Sequence, residues 1–209
     1  MKPIFITGTG TDVGKTLISA IIVEALRSDY WKPVQAGFTD GTDSLRLSEL
    51  ISNKKTKIHP ELYLLKMLAS PHIAAPDEGS KIKIKKIVDH LPKTKNKLLI
   101  EGAGGLMVPL NNKELILDLI KKLKAQVIIV SKNELGSINH SLLTAAALRK
   151  ENINVAGWIF TEEYTSYEGE ISDWSGYPII AKINHLPLIS KETIKADAIR
   201  IRPILKAIL

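Results

Sequence analysis

A glycine-rich loop between an apolar strand and an amphipathic helix constrains this chain more than any other feature of its sequence. The loop, Gly8–Thr16, is of the phosphate-binding type and ends in Gly-Lys-Thr. The apolar run Pro3–Thr7 predicts a buried strand before the loop, and the helical spacing of apolar residues in Lys15–Arg27 predicts a helix after it. This order of strand, loop and helix is the context that phosphate binding requires.

The chemistry of the loop follows from its residue types. Glycines let the backbone curl, so that successive N–H groups point into one concavity, and the following helix adds its positive N-terminal end. Lys15 can reach the outer phosphates, and the hydroxyl of Thr16 can bind Mg²⁺. The loop therefore predicts that the chain binds a nucleotide together with Mg²⁺.

Short apolar runs and longer amphipathic stretches alternate along the rest of the chain. This alternation predicts an α/β fold like that of the phosphate-loop NTPases, with a mainly parallel sheet flanked by helices. We find no linker rich in Pro, Gly or Ser and no repeat, so residues 1–209 are expected to form a single domain. The further predicted strands are Tyr30–Gln35, Lys97–Glu101, Gln126–Val130, Val155–Phe160 and Ile179–Ile183. The further predicted helices are Asp43–Ile51, Lys83–Leu91, Leu115–Leu123, Ser137–Lys150 and Lys191–Ile208.

The composition narrows the possible functions. The 209 residues include no cysteine, which excludes disulfides, thiolate metal sites and cysteine nucleophiles and favours a cytoplasmic location. No segment reaches the roughly 18 uncharged apolar residues that a membrane span needs. The net charge of +7 comes from 24 Lys and only 5 Arg with 5% aromatic residues, which favours solvated Lys-rich faces over a nucleic-acid interface. We therefore expect no nucleic-acid and no membrane partner.

Two carboxylates follow predicted strands and are candidate metal ligands. Glu101 ends an apolar strand and precedes the run Gly102–Gly105, which permits close approach of the backbone to a ligand. Asp43 opens the helix after the second strand. Each has a plainer interpretation, because Asp43 could be a helix cap and Glu101 a solvated strand end.

Lys32 is the third candidate. It lies inside a predicted apolar strand, where a cation needs an anionic partner such as a phosphate. The alternative is an exposed sheet edge, which the neighbouring Pro33 would permit.

Taken together, these segments resemble one family, the dethiobiotin synthetases, over nearly the whole chain. The resemblance rests on the order and spacing of Thr11–Thr16, Lys32–Gln35, Asp43, Ser70–His72, Glu101–Gly105, Gly136–His140 and Ala156–Trp158. It implies an ATP-dependent cyclo-ligase of biotin biosynthesis. In that reaction an amine of 7,8-diaminopelargonic acid takes up CO₂, ATP phosphorylates the carbamate, and the second amine closes the ring, which gives dethiobiotin, ADP and phosphate.

The resemblance also implies roles for individual residues. Thr16, Asp43 and Glu101 would hold Mg²⁺, Lys15 and Lys32 would stabilise the transferring phosphoryl group, and Asp12 would lie near the substrate amines. The family is a homodimer with active sites near the subunit interface. The implied nucleotide contacts are Asp12, Val13, Gly14, Lys15, Thr16, Leu17, Asp43, Glu101, Gly102, Ala103, Gly104, Thr161, Glu162, Leu186, Pro187 and Leu188. The implied substrate contacts are Ser70, Pro71, Gly136, Ser137 and Asn139.

Three positions depart from the family pattern. Gly10 replaces a frequent Asp, and Ala36 replaces a Ser or Thr that can hydrogen-bond the substrate. Thr161 replaces an Asn that reads adenine, which predicts weaker base selectivity and leaves Glu162 as a possible base contact.

Two other classes share parts of this pattern. Phosphate-loop switch ATPases of the partition and division-site families have the same fold, but they usually carry an additional Lys near the start of the loop, where this chain has Thr9 and Gly10. A cobyrinate amidation enzyme needs a glutaminase domain for which 209 residues leave no room.

Overall fold

Strands that are apolar on both faces build the centre of this molecule. The structure is a computed structural model that describes residues 2–39, 41–162 and 164–209. The strands are β1 Ile4–Gly8, β2 Asp29–Trp31, β3 Val34–Ala36, β4 Ile58–His59, β5 Tyr63–Leu65, β6 Leu98–Gly105, β7 Gln126–Lys132, β8 Val155–Thr161 and β9 Ile179–Ile183. The helices are α1 Lys15–Leu26, α2 Asp43–Leu50, α3 Pro71–Asp77, α4 Ile84–Asp89, α5 Ile116–Leu123, α6 Ser137–Lys150, α7 Glu168–Ser175 and α8 Lys191–Ile208.

Seven of these strands form one sheet in the order β4-β2-β6-β1-β7-β8-β9, and their pairings are parallel. Alternate residues of β1 enter different apolar clusters. Ile4 and Ile6 pack with residues of α1 and α8, whereas Phe5 packs on the opposite face with residues of α4 and α5. The predicted α/β architecture, with a parallel sheet between helices, is therefore confirmed. The described residues contain no helix that is both long enough and apolar enough to cross a membrane.

The predicted strand Tyr30–Gln35 is wrong as a single element. β2 ends at Trp31 in the main sheet, whereas β3 begins at Val34 and pairs with β5 in a separate two-stranded sheet. Pro33 lies at the break, and its missing N–H cannot continue a ladder in the middle of a sheet. The break leaves Lys32 between the two strands, at the carboxyl end of β2.

β6 corrects a second expectation, because the strand continues through the glycines to Gly105 instead of stopping at Gly102. Glu101 consequently lies within the strand, in register with Ile6 of β1. The remaining bounds are close to those predicted, and α6, β9 and α8 coincide with them.

Four short elements were not predicted as such. Ser70 and Pro71 are a helix start signal, but α3 is only seven residues long and contains Pro76, and α7 begins without a side-chain cap. β4 and β5 are only two and three residues long, too short for a periodicity to appear.

Candidate active site

The phosphate-binding loop is held by its own backbone and by Lys15. Five residues separate Gly8 from Gly14, one more than in the common pattern of glycine, four residues and Gly-Lys-Ser/Thr. Gly14 has a φ of 89° and caps α1, and a Cβ at Gly8 would lie only 2.6 Å from Cγ2 of Val13. Lys15 Nζ donates to the carbonyl oxygen of Gly10 at 2.8 Å, so the ammonium group lies across the mouth of the loop.

Thr16, Asp43 and Glu101, which the family resemblance assigns to one metal site, lie close together beside the loop. The Thr16 hydroxyl is 2.9 Å from Asp43 Oδ1 and 3.0 Å from Glu101 Oε1. The N-cap of α2 is Thr42, whose side chain accepts from the Leu45 N–H, so the interpretation of Asp43 as the cap is wrong. Glu101 is 1% exposed, which also overturns the solvated strand end.

Lys32 completes this cluster. Its Nζ lies 2.5 Å from Asp43 Oδ2 and 3.0 Å from Glu101 Oε1, and the residue is 4% exposed. The exposed-edge interpretation of Lys32 is wrong, because β4 and not β2 is at the edge of the sheet. The chain therefore supplies a buried cation that bridges two carboxylates next to a phosphate-binding loop.

Burial and charge act against each other in this cluster. Burial by itself would lower the pKa of Lys32, but attraction by Glu101 and Asp43 outweighs burial and raises it. Burial would raise the pKa of Asp43, but Lys32 outweighs burial and lowers it. Burial lowers the pKa of Lys15 to about 8, assisted by repulsion from Lys32 and opposed by Glu101. Lys32 thus stays charged at neutral pH, and Lys15 is the cation of the site that can lose its proton.

The donor set of the cluster fits Mg²⁺. It consists of two carboxylates and one hydroxyl, the hard oxygen ligands that this ion takes in proteins. Within the described ranges, no three acidic or histidine side chains gather closely enough to hold a metal on their own. An ion that takes its remaining ligands from water and nucleotide phosphates matches this arrangement.

Two residues that the sequence analysis did not single out support the cluster. The hydroxyl of Tyr30 donates to Glu101 Oε2 at 2.9 Å. The side chain of Gln35 accepts from the N–H of Asp43 at 3.2 Å and donates to the carbonyl oxygen of Gly37 at 2.7 Å, which ties the start of α2 to the end of β3. Gln35 lay in a motif that the analysis used, whereas Tyr30 looks like an ordinary apolar strand residue in the sequence.

A cavity of about 760 Å³ opens over the cluster. Arg46, another residue that the analysis missed, lines it one helical turn after Asp43. Leu17, Phe38, Leu68 and Val108 give the cavity an apolar part beside its charged part. The predicted site residues that line it are Asp12, Gly14, Lys15, Thr16, Leu17, Lys32, Asp43, Ser70, Pro71, Glu101, Ala103 and Gly104.

Other predicted site residues lie outside the lining of this cavity. Gly136 caps α6, and Ser137 and Asn139 belong to its first turn, beyond the end of β7. Leu186–Leu188 follow β9, where Leu186 lines a separate cavity of about 440 Å³ with Arg200. The predicted positions that do not line the larger cavity are Val13, Gly102, Gly136, Ser137, Asn139, Thr161, Glu162, Leu186, Pro187 and Leu188.

Thr161 supports the phosphate-binding loop from below. Its hydroxyl donates to the carbonyl oxygen of Val13 at 2.9 Å, and its methyl group lies 3.1 Å from the place that a Cβ on Gly14 would occupy. The adjacent Glu162 has a φ of 63°, and its Oε2 lies 3.1 Å from Nδ1 of His185. The Thr161 hydroxyl therefore uses its proton in a hydrogen bond to the loop. Of the two side chains, that of Glu162 is the more exposed to solvent.

The parallel sheet, the loop at the start of α1 and the cluster around Thr16 define a phosphate-loop nucleotide-binding protein. The family described as "AAA domain" matches residues 2–193. The chain is 46% identical over 203 residues to the ATP-dependent dethiobiotin synthetase BioD of Cytophaga hutchinsonii, covering 96% of this chain and 97% of that protein. It is 45% identical over 202 residues to the enzyme of the same name from Christiangramia forsetii, with 96% of each chain covered. The chain belongs to the dethiobiotin synthetase family.

Solved structures show the same fold at low sequence identity. The cell division ATPase MinD of Pyrococcus furiosus superposes with a TM-score of 0.63 at 13% identity, with 100% of both chains covered. The fold is therefore shared with a division-site ATPase, as the sequence analysis expected of the alternative class, whereas the sequence relationship is to the synthetases.

Proposed function

We propose that this chain converts 7,8-diaminopelargonic acid, CO₂ and ATP into dethiobiotin, ADP and phosphate. The observation that carries the proposal is the Lys32 ammonium group, held between Asp43 and Glu101 beside a phosphate-binding loop. Membership in the dethiobiotin synthetase family supports the overall reaction. The whole chain would act as one domain, with its substrates entering the cavity over the cluster.

In the proposed reaction, one amine of the substrate adds to CO₂ and loses a proton, which gives a carbamate. The γ-phosphoryl group of ATP then moves to a carbamate oxygen, and ADP leaves. The second amine attacks the carbamate carbon and loses a proton, phosphate leaves with its oxygen, and the ring closes as a cyclic urea. Each step moves or develops negative charge on oxygen, so the protein contributes mainly through fixed positive charge.

Thr16, Asp43 and Glu101 would hold Mg²⁺, which would neutralise charge on the phosphates of bound ATP. Lys15 lies across the phosphate-binding loop and would contact the outer phosphates. Lys32 would face the phosphoryl group in transfer and the carbamate, because its carboxylate partners hold it at the floor of the cavity. Asp12, in the loop lining, would lie near the substrate amines.

The shape of the cavity supports a substrate with both polar and aliphatic parts. The charged part contains Lys15, Lys32 and Asp43, and the apolar part contains Leu68 and Val108. A chain of methylene groups can lie on the apolar part while the amines reach the charged part. Ser70 and Pro71, at the start of α3, would also contact the substrate, since both line the cavity.

The substrate carboxylate would be bound by a second copy of the chain. Gly136, Ser137 and Asn139 are at the N-terminus of α6, the positive end of the helix dipole, which attracts an anion, yet they do not line the cavity of their own chain. Leu135, directly before this segment, and Leu143, about one turn farther along α6, are exposed. A homodimer in the cytoplasm that brings this segment to the neighbouring cavity is part of the proposal. Leu143→Glu should then weaken dimers, which sedimentation measures.

A turnover assay tests the proposed function directly. Purified protein with 7,8-diaminopelargonic acid, bicarbonate, Mg²⁺ and ATP should form dethiobiotin and one phosphate per product, detected by mass spectrometry and a phosphate assay. Omission of diaminopelargonic acid should reduce phosphate release to background. ATP hydrolysis that does not depend on diaminopelargonic acid, with no dethiobiotin formed, would contradict the proposal.

A further inference from the structure

Glu101 presents its two carboxylate oxygens to different partners. Oε1 accepts from the Thr16 hydroxyl and from Lys32 Nζ, both at 3.0 Å, and therefore belongs to the cluster below the cavity. Oε2 points the other way and accepts from the Tyr30 hydroxyl at 2.9 Å. The terminal torsion of a glutamate has a broad, nearly two-fold energy profile, so the side chain by itself does not fix this orientation.

Tyr30 is placed for this contact by the sheet. It lies on β2 in register with Leu99 of β6, two residues before Glu101, so both side chains emerge on the same face of adjacent strands. Its ring is 0% exposed and packs in the apolar cluster that contains Ile18 and Leu47. A ring held by packing in this way gives its hydroxyl a fixed position against Glu101.

The tyrosine acts as a hydrogen-bond donor. Burial and the negative charges of Glu101 and Asp43 raise the pKa of Tyr30 well above its ordinary value, so the phenol stays protonated. The Tyr30 hydroxyl therefore donates and Glu101 Oε2 accepts. Removing this donor leaves Oε2 with an unmet hydrogen-bonding need inside the core, and the carboxylate can then turn to share both oxygens with Lys32 and Thr16.

We propose that Tyr30 is a positioning residue that holds Glu101 Oε1 toward the cluster and thereby sets the affinity of the site for a divalent cation. The inference rests on the proposed function, in which Glu101 is a metal ligand. Outer contacts that orient metal ligands commonly contribute about 10–100-fold to metal affinity. A contact that only stabilised the core would change the free energy of unfolding and not the affinity for the cation.

The test is Mn²⁺ binding by the full chain without nucleotide, followed through the electron paramagnetic resonance signal of free Mn²⁺. Tyr30→Phe should raise the dissociation constant by about tenfold or more. The matched control is Tyr63→Phe, which removes another buried hydroxyl, one that accepts from the N–H of Lys83 outside the cavity lining. Tyr63→Phe should leave Mn²⁺ binding unchanged.

A second substitution restores the donor. p-Aminophenylalanine at position 30 keeps the ring and offers an amine, a weaker donor, so its dissociation constant should fall between those of wild type and Tyr30→Phe. It also provides the comparison with wild type if Tyr30→Phe does not fold. Wild-type Mn²⁺ affinity in folded Tyr30→Phe, or in both variants, overturns the inference.

Glu101→Gln separates this inference from the proposed function. If Glu101→Gln weakens Mn²⁺ binding and Tyr30→Phe does not, the positioning role is wrong and the metal site stands. If neither variant changes Mn²⁺ binding, Glu101 is not a ligand, and both the positioning role and the proposed metal site are wrong. Dethiobiotin formation by the wild type tests the reaction independently of either result.

Discussion

A buried carboxylate lies at each end of the paired strands β2 and β6, and the two have different surroundings. Asp29 begins β2 and is 2% exposed; its Oδ1 accepts from the Lys57 N–H at 3.1 Å and from Asn96 Nδ2 at 2.9 Å, and Oδ2 is 3.2 Å from His59 Nε2. Glu101, on β6 one residue past the last pair with β2, shares a cation and a hydroxyl with Asp43 beneath a cavity.

The two carboxylates differ in the groups that surround them. Burial would raise the pKa of Asp29, but hydrogen bonds from Asn96, Thr94 and the Lys57 N–H outweigh burial and lower it, and no lysine ammonium group of the described residues forms an ion pair with Asp29. At the other end the protein brings together Lys15, Lys32, Asp43 and Glu101, more charge than a stable strand end requires. Buried charges in excess of structural need, together with a cavity, are typical of a functional site, whereas a carboxylate enclosed by hydrogen-bond donors is typical of a structural one.

The largest expected effect is a loss of turnover, and it comes from substitutions at the end of β2 and β6 that lies beneath the cavity. Lys15→Ala and Lys32→Ala should each lower turnover by at least about 10²–10³-fold, because each removes a positive charge that would face the transferring phosphoryl group in the proposed reaction. Circular dichroism should show both variants folded. The exposed Lys85 is the control, since Lys85→Ala removes only a surface pair with Asp89 and should keep full turnover. Near-normal turnover of Lys32→Ala would refute its assigned role.

Replacing the carboxylate by an amide at this same end gives the second test. Glu101→Gln should raise the Mg²⁺ concentration needed for half-maximal activity by at least about tenfold, since even outer contacts to metal ligands contribute about that much. The change preserves volume, so the variant should fold. An unchanged Mg²⁺ activation curve would show that Glu101 is not a metal ligand, and the contrast between a functional Glu101 and a structural Asp29 would then be wrong.

The matched change at the other end should have the opposite pattern. Asp29→Asn should lower the free energy of unfolding by about 1–3 kcal/mol, because it disrupts a satisfied buried carboxylate, and leave turnover and Mg²⁺ dependence unchanged. The pKa of Asp29 is lower in the folded than in the unfolded protein, so its contribution is complete above about pH 4 and is lost as the pH falls through the folded value. Urea unfolding at several pH values measures both; a loss of turnover would show that the two ends are not independent.

Nucleotide binding beside the cavity should also depend on pH. The pKa of Lys15 is about 8, so the free protein loses this charge above pH 8 and must take up a proton to bind phosphate. The dissociation constant of ADP, measured by calorimetry without Mg²⁺, should therefore be about tenfold higher at pH 9 than at pH 7. Lys15→Arg should remove this dependence, because guanidinium stays charged. Equal pH dependence in both proteins would assign the effect to another group.

The smallest expected effect concerns the base of the nucleotide. Thr161 donates to Val13 and cannot bridge two adjacent atoms of adenine, as an Asn side chain can. The preference for ATP over GTP and CTP in kcat/KM should therefore stay below about 100-fold, the upper part of what one bidentate amide contact supplies. A stronger preference for ATP would show that Glu162 or the backbone reads the base.

Sequence reasoning reached much of this site because its chemistry is local. The loop follows β1, Lys32 follows β2, and Glu101 lies on β6 just past its last pair with β2, and strands of a parallel sheet deliver their carboxyl ends to one edge. Tyr30 could not be found in this way, since a tyrosine in an apolar strand has the same pattern whether its hydroxyl is idle or bound to a carboxylate.

Other features depended on contacts that the sequence does not display. The division of the second strand at Pro33 requires the partner strand β5, which lies far along the chain and is three residues long. The predicted substrate contacts of α6 do not meet the cavity within one chain, so their role stays a prediction that depends on a second copy.

The packing of α1 against α8 has a consequence for how the protein is made. Arg202 Nε donates to the carbonyl oxygen of Ala25, and Ile201 and Leu205 enter the same apolar cluster as Ile18. All other helices, and every strand but β1, lie between α1 and α8 along the chain. On the ribosome, the helix that carries the phosphate-binding loop therefore emerges before α8, and this part of its apolar surface is covered only when α8 has been synthesised. Nucleotide binding should accordingly begin late in synthesis, and chaperones that recognise apolar helices would have α1 as a target until then.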